Sequence, residues 1–175
     1  MAGLRKGYPG LTYTAKLIAD FIGECDIFCE PFAGLGRVSN HIKANKILLN
    51  DKSDYALDFL RLNFNNAIIS GDDFLKCILE NDSENTTFLI DPPWSKVDYA
   101  ENPNTFCDRG VGDYYKQLRE VLPTLKGRWF VAGRAMGGAR SSVSVHFNGY
   151  ENIILYSDRK INGHVAKTKL YFNHK

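Results

Sequence analysis

The chain has 175 residues, 44% of them hydrophobic and 24% charged, which suits one domain with a sizeable core and leaves little length for a second. A net charge of +2 permits an anionic partner but is weak for a dedicated nucleic-acid-binding module, so any basic footprint must come from clustering. No run approaches the roughly 18 apolar residues of a membrane span, and residues 1–10 lack the apolar stretch of a secretory signal. No membrane partner is expected, and the expected setting is cytoplasmic, or intracellular in a virus- or plasmid-encoded context.

In chain order, Thr12–Ile22 spaces Ala15, Ile18, Ala19 and Ile22 along one helical face, with Thr12 or Thr14 as the cap. Five apolar runs bounded by turn residues then read as strands: Asp26–Phe32, Lys46–Asp51, Asn66–Gly71, Thr87–Asp91 and Arg128–Gly133. Between them, Arg37–Asn45, Tyr55–Phe64, Asp73–Glu80 and Asp113–Leu122 read as helices. This alternation predicts an α/β fold, Rossmann-like, with a mostly parallel sheet and helices on both faces. Tyr150–Tyr156 and Thr168–Asn173 read as two strands joined by a connector over 157–164, an antiparallel hairpin closing the sheet edge. Residues 1–175 show no repeat, low-complexity tract or linker and are read as a single domain. Cys25, Cys29, Cys77 and Cys107 form no Cys-x-x-Cys pair, so neither a metal site nor a disulfide framework is expected.

Glu30-Pro31-Phe32-Ala33-Gly34-Leu35-Gly36 joins the first strand to the next segment. Glycine lets a backbone turn sharply and approach a ligand closely, and this edge of a parallel sheet is where doubly wound folds bind nucleotides. A side chain at Gly36 is expected to enter the ligand's space. Asp51, about twenty residues after the loop at the end of the second strand, is the type of acid that accepts hydrogen bonds from ribose hydroxyls. Asp72, Asp73 and Phe74 follow the third strand, offering a carboxylate and an aromatic face for an adenine ring, with either acid able to serve. Together these positions predict an adenosine-containing cofactor.

Asp91-Pro92-Pro93-Trp94 ends the fourth strand and is the most specific signal in the chain. The prolines stiffen the backbone where it leaves the sheet and donate no hydrogen bond. Asp91 and the Pro92 carbonyl are then two acceptors at one spot, and Trp94 is a flat apolar face. This set suits a planar group with an exocyclic amine, held in line with a methyl donor so that proximity does most of the catalysis.

Over most of its length, and in the same order, the chain resembles the Dam-like N6-adenine DNA methyltransferases. Their Glu-Pro-Phe-x-Gly-x-Gly loop is similar to Glu30–Gly36, their strand-two acid to Asp51, their Gly-Asp-Phe to Gly71–Phe74, and their Asp-Pro-Pro-Tyr to Asp91–Trp94. Their Tyr-Pro-Gly-Gly-Lys resembles Tyr8–Thr12, with Thr12 in the lysine's place, and their closing hairpin resembles Arg159–Asn173. The resemblance implies S-adenosylmethionine as cofactor, held by Tyr8, Glu30, Pro31, Phe32, Gly34, Gly36, Asp51, Asp72 or Asp73, and Phe74, with Asp91–Trp94 catalytic. The family's helical target-recognition region has no counterpart in 74–86, so a protein partner that supplies specificity is one expectation.

A nucleic-acid track is expected from Lys96 and Arg109 after Trp94, Arg134 and Arg140 after the fifth strand, and Arg159 and Lys160 in the hairpin, with Lys167 and Lys169 nearby. DNA is the leading substrate. RNA is the alternative, since Asp-Pro-Pro-Trp also resembles the tetrapeptide of eukaryotic RNA adenine methyltransferases. A non-catalytic cofactor-binding subunit is a third reading. A NAD-dependent dehydrogenase would share the glycine loop and strand-two acid but leaves Asp91–Trp94 unexplained.

Overall fold

The computed structural model describes residues 11–93, 114–134, 146–161 and 164–173. Among these, β1 (Cys25–Glu30), β2 (Ala44–Asn50), β3 (Ala67–Ser70), β4 (Thr86–Ile90), β5 (Arg128–Arg134), β6 (Glu151–Ile161) and β7 (His164–Phe172) form one seven-stranded sheet in the order β3-β2-β1-β4-β5-β7-β6. The first five strands are parallel, and β7 pairs antiparallel with both β5 and β6. The expected α/β sheet with its closing antiparallel hairpin is therefore present.

Among the described residues, four helices cover the sheet: α1 (Ala15–Ile22), α2 (Asp54–Asn63), α3 (Phe74–Glu80) and α4 (Tyr114–Val121). Paired residues on neighbouring strands point to the same face, and alternate residues point to opposite faces. Phe28 and its partner Ile47 thus share a face. There Phe28, Leu89, Phe130 and Leu170 pack against Ile18, Ala19 and Ile22 of α1, and Ile47 and Leu49 pack against Leu60 of α2. Cys29, Leu48, Phe88 and Ile90 occupy the opposite face under α3 and α4, with Ile78, Leu118, Trp129 and Phe147. Each large side chain so buried contributes about 1.5–3 kcal/mol. The face of α1 is the predicted one, with Ala15, Ile18, Ala19 and Ile22 all buried. Thr14 stands at its N-cap without capping, because its hydroxyl is spent on that of Thr168, 2.6 Å away.

Two expectations fail. Residues 37–45 do not form a helix: a single 3₁₀ turn, Ser39–His41, leads directly to β2 at Ala44. The segment is pulled apart by its own side chains. Val38 is buried against the α1 cluster, Ser39 donates to Glu30, and Ile42 is already extended at φ −75°, ψ 143°. Serine's readiness to bond elsewhere is what makes it a poor helix-interior residue. The connector expected over 157–164 is largely strand, since β6 runs to Ile161 and β7 begins at His164, with a register shift between Tyr156 and Lys160. Backbone pairing in an antiparallel edge hairpin needs no apolar side chains, so the polar composition misled.

Candidate active site

The strand order reverses at β1, whose neighbours are β2 on one side and β4 on the other. In open α/β sheets, ligands bind outside the carboxyl ends of the strands at such a reversal. Four of the predicted segments meet along this edge: Glu30–Gly36 after β1, Asp51 after β2, Asp72–Phe74 after β3 and Asp91–Pro93 after β4.

Glu30 ends β1 with only 4% of its surface exposed. Burial, reinforced by the negative charge of nearby Asp91, pushes its carboxyl up to about 8, against the pull of the Ser39 hydroxyl that donates to Oε2. Glu30 and Asp91 are thus close enough to sense each other across the β1–β4 reversal. Asp91 is half-buried, Pro92 buried and Pro93 half-buried. Trp94 lies outside the described residues, as do Tyr8, Lys96, Arg109 and Arg140.

The glycine turn is left-handed at two points, Gly34 (φ 53°) and Gly36 (φ 61°), a conformation that costs other residues roughly 1–2 kcal/mol. Asp51 braces it: Oδ2 accepts the Gly34 N–H at 2.7 Å and Oδ1 accepts the Ser53 N–H at 2.8 Å. Burial raises the Asp51 carboxyl above its usual range although backbone N–H groups favour its charged form. For Gly36 the expectation of a clash with ligand is corrected. A β-carbon there would lie 2.6 Å from Cζ and 2.7 Å from Cε2 of Phe64, so the position is closed by the end of α2.

The two acids after β3 do different work. Asp73 caps α3, its Oδ1 accepting the Leu75 N–H at 2.9 Å while Oδ2 pairs with Lys52 at 3.1 Å. The Asp72 carboxylate makes a surface pair with Lys76, 2.7 Å away on the next turn. Phe74, expected to offer a face to adenine, is buried in the core, its ring 5.0 Å from that of Phe32 and 5.2 Å from that of Tyr114. Half-buried Phe32 is the member of this trio nearest the glycine turn in sequence.

Sequence reasoning passed over Asn50, the buried residue before Asp51. Its Nδ2 donates to the Pro31 and Asp72 carbonyls, both at 3.0 Å, and its Oδ1 accepts the Asp72 N–H and the Ser70 hydroxyl, both at 2.8 Å. A polar residue 1% exposed at a strand end was a usable signal only once burial was known.

Of the expected nucleic-acid residues, Arg134 ends β5, and Arg159 and Lys160 lie in β6. Because Arg134 pairs with Thr168 and Lys160 with Val165, the hairpin end extends past the carboxyl end of β5, at the same sheet edge as Asp91. Lys167 and Lys169 lie over the rings of Tyr156 (5.3 Å) and Tyr171 (4.7 Å). A depression of about 550 Å³ lined by Glu24, Cys25 and Lys43 lies at the other, amino-terminal edge.

The sequence matches no known family model and no curated protein. Solved structures do match it. A candidate methyltransferase from Streptococcus mutans, in complex with S-adenosylhomocysteine, is 15% identical with a TM-score of 0.56, over 90% of this chain and 97% of that one. This is the class I methyltransferase fold. An rRNA methylase from Streptococcus thermophilus shares it at 13% identity and TM-score 0.56, over 91% of this chain and 93% of that one. So does a precorrin-8w decarboxylase from Methanobacterium thermoautotrophicum, at 13% identity and TM-score 0.61, over 97% and 93%. In this fold the reversal at β1 and β4 is the edge on which Glu30, the glycine turn and Asp91 converge.

Proposed function

We propose that this chain is an S-adenosylmethionine-dependent methyltransferase acting on the exocyclic N6 amine of adenine in a nucleic acid, with DNA as the first candidate. The observation that carries the reading is the convergence, at the sheet reversal of a methyltransferase fold, of Glu30 and its glycine turn with the stiff Asp91-Pro92-Pro93 exit of β4.

The residues fit such a cofactor. The positive-φ turn at Gly34 lets backbone approach a ligand, the Asp51 carboxylate keeps lone pairs beyond those that accept the Gly34 and Ser53 N–H groups, and the Asp72 carboxylate is paired with an exposed lysine. We assign ribose hydroxyls to Asp51 and the adenine edge to Asp72 rather than Asp73, which is committed to capping α3. The cofactor supplies an electrophilic methyl group. Asp91 and the Pro92 carbonyl orient the target amine by accepting its hydrogens, and Trp94 stacks on a base flipped out of a duplex or taken from a single strand. Phosphates would follow the hairpin end and the basic residues 96, 109, 134 and 140. The Asp-Pro-Pro-Trp tetrapeptide also favours RNA as a second reading.

The test is incubation with methyl-labelled S-adenosylmethionine and, separately, duplex DNA, single-stranded DNA and RNA, followed by nucleoside analysis. Label in N6-methyldeoxyadenosine supports the proposal, and label in N6-methyladenosine of RNA supports the second reading. Label on any other atom, or in no nucleoside, overturns both.

A further inference from the structure

Asn50 has the densest polar environment among the described residues at this edge. An asparagine amide offers two donors and one acceptor oxygen with two lone pairs, and here all four places are filled. The bonds are not local. Two go to Asp72, one to its N–H and one to its carbonyl, so that residue's backbone is gripped on both sides. A third reaches Pro31 in the turn after β1, and the backbone carbonyl of Asn50 accepts the Ala33 N–H at 2.8 Å. One side chain from β2 thus ties the exits of β1 and β3, the two loops that flank the β2 exit carrying Asp51.

Resting on the methyltransferase reading above, we propose that Asn50 is the positioning residue of the cofactor site. It sets the separation between the glycine turn and Asp72, and so the span into which an adenosine fits. It touches no ligand itself. Aspartate is the informative replacement because it keeps the shape, loses both donors and sets a carboxylate against the Pro31 and Asp72 carbonyls. With one face of the brace repelled, Asp72 no longer sits at a fixed distance from Asp51.

The experiment compares wild type, Asn50→Asp and Leu118→Ala by thermal melting and by calorimetric titration with S-adenosylhomocysteine and with adenosine, well below each melting temperature. Leu118 is fully buried in the core under α4 and makes none of the bonds of Asn50, so its truncation lowers stability while leaving that brace in place. Asn50→Ser, which keeps a hydroxyl in the same space, replaces Asn50→Asp if the latter does not fold. The expected result is a loss on the order of tenfold or more in affinity for both probes in the Asn50 variant, and wild-type affinity in Leu118→Ala. Equal affinities in wild type and the Asn50 variant, equal losses in the two variants, or a loss confined to S-adenosylhomocysteine would each overturn the inference while leaving the methyltransferase reading intact. Wild-type protein that binds neither probe overturns both.

Discussion

Ser39 donates its hydroxyl hydrogen to Oε2 of Glu30, and this bond is made to a carboxyl that burial and Asp91 have moved from 4.5 to about 8. Ser39 is available only because residues 37–45 turn instead of forming a helix. The raised value makes folding proton-linked. Between pH 4.5 and about 8 the folded Glu30 keeps a proton that the unfolded chain has lost. Its contribution to stability is therefore complete below pH 4.5 and is lost as pH rises through about 8. Denaturant unfolding across that window should show wild-type stability falling with pH more steeply than that of Glu30→Gln. Parallel curves would mean that Glu30 is ionised throughout.

The same carboxyl ties pH to ligand. A cationic sulfonium cofactor favours ionised Glu30, so binding should release a proton near neutral pH and tighten as pH rises toward 8. Calorimetry in two buffers of different ionisation heat measures that release directly. Uptake of a proton, or an affinity that weakens over this range, contradicts the assignment of Glu30 to the cofactor site.

Gly36 should prove a packing position. Gly36→Ala combines the left-handed penalty of roughly 1–2 kcal/mol with an overlap against the Phe64 ring that typically costs about 1–3 kcal/mol. Urea unfolding should show the sum, and Phe64→Leu in the same chain should recover the overlap but not the backbone cost. A single variant as stable as wild type would show that the ring swings aside freely.

Asp51 has a brace role and a proposed ligand role, and the two separate by measurement. Asp51→Ala leaves the Gly34 and Ser53 N–H groups without their carboxylate and should lower stability. Loss of ribose bonds to a charged acceptor, about 1.5–3 kcal/mol, should also weaken S-adenosylmethionine binding by roughly ten- to 150-fold in the folded protein. Lower stability with unchanged affinity would leave Asp51 as a brace alone.

Asp91 is expected to act on the target amine, where its hydrogen bond strengthens as the nitrogen rehybridises, so its loss should fall on turnover rather than on cofactor binding. In single-turnover methylation at saturating cofactor, Asp91→Ala should be slower by about 10²–10³-fold. Asp91→Asn should also be poor, because its amide can present donors to the substrate's own donors. Trp94→Phe should keep much of the rate and Trp94→Ala should not. A wild-type rate in Asp91→Ala would make the tetrapeptide a structural turn.

The features that the sequence determined by itself were periodic or local. Alternating apolar runs and helical spacings defined the five parallel strands and four of the five expected helices, because burial on one face leaves a repeat of two or of about 3.6. The Gly34–Gly36 turn and the Asp91-Pro92-Pro93 exit were legible because proline and glycine restrict or free the backbone on their own. Tertiary structure decided whatever depended on a distant partner. Whether 37–45 coiled turned on Glu30, nine residues before Ser39, accepting its hydroxyl. The need for glycine at 36 came from Phe64 on another element, and the division of labour between Asp72 and Asp73 came from Asn50, Lys52 and Lys76. Asn50 was the least legible, since one asparagine at the end of an apolar run has no pattern until three strand ends close around it. Those contacts span about twenty residues of chain each, and only the sheet brings them within a hydrogen bond's reach.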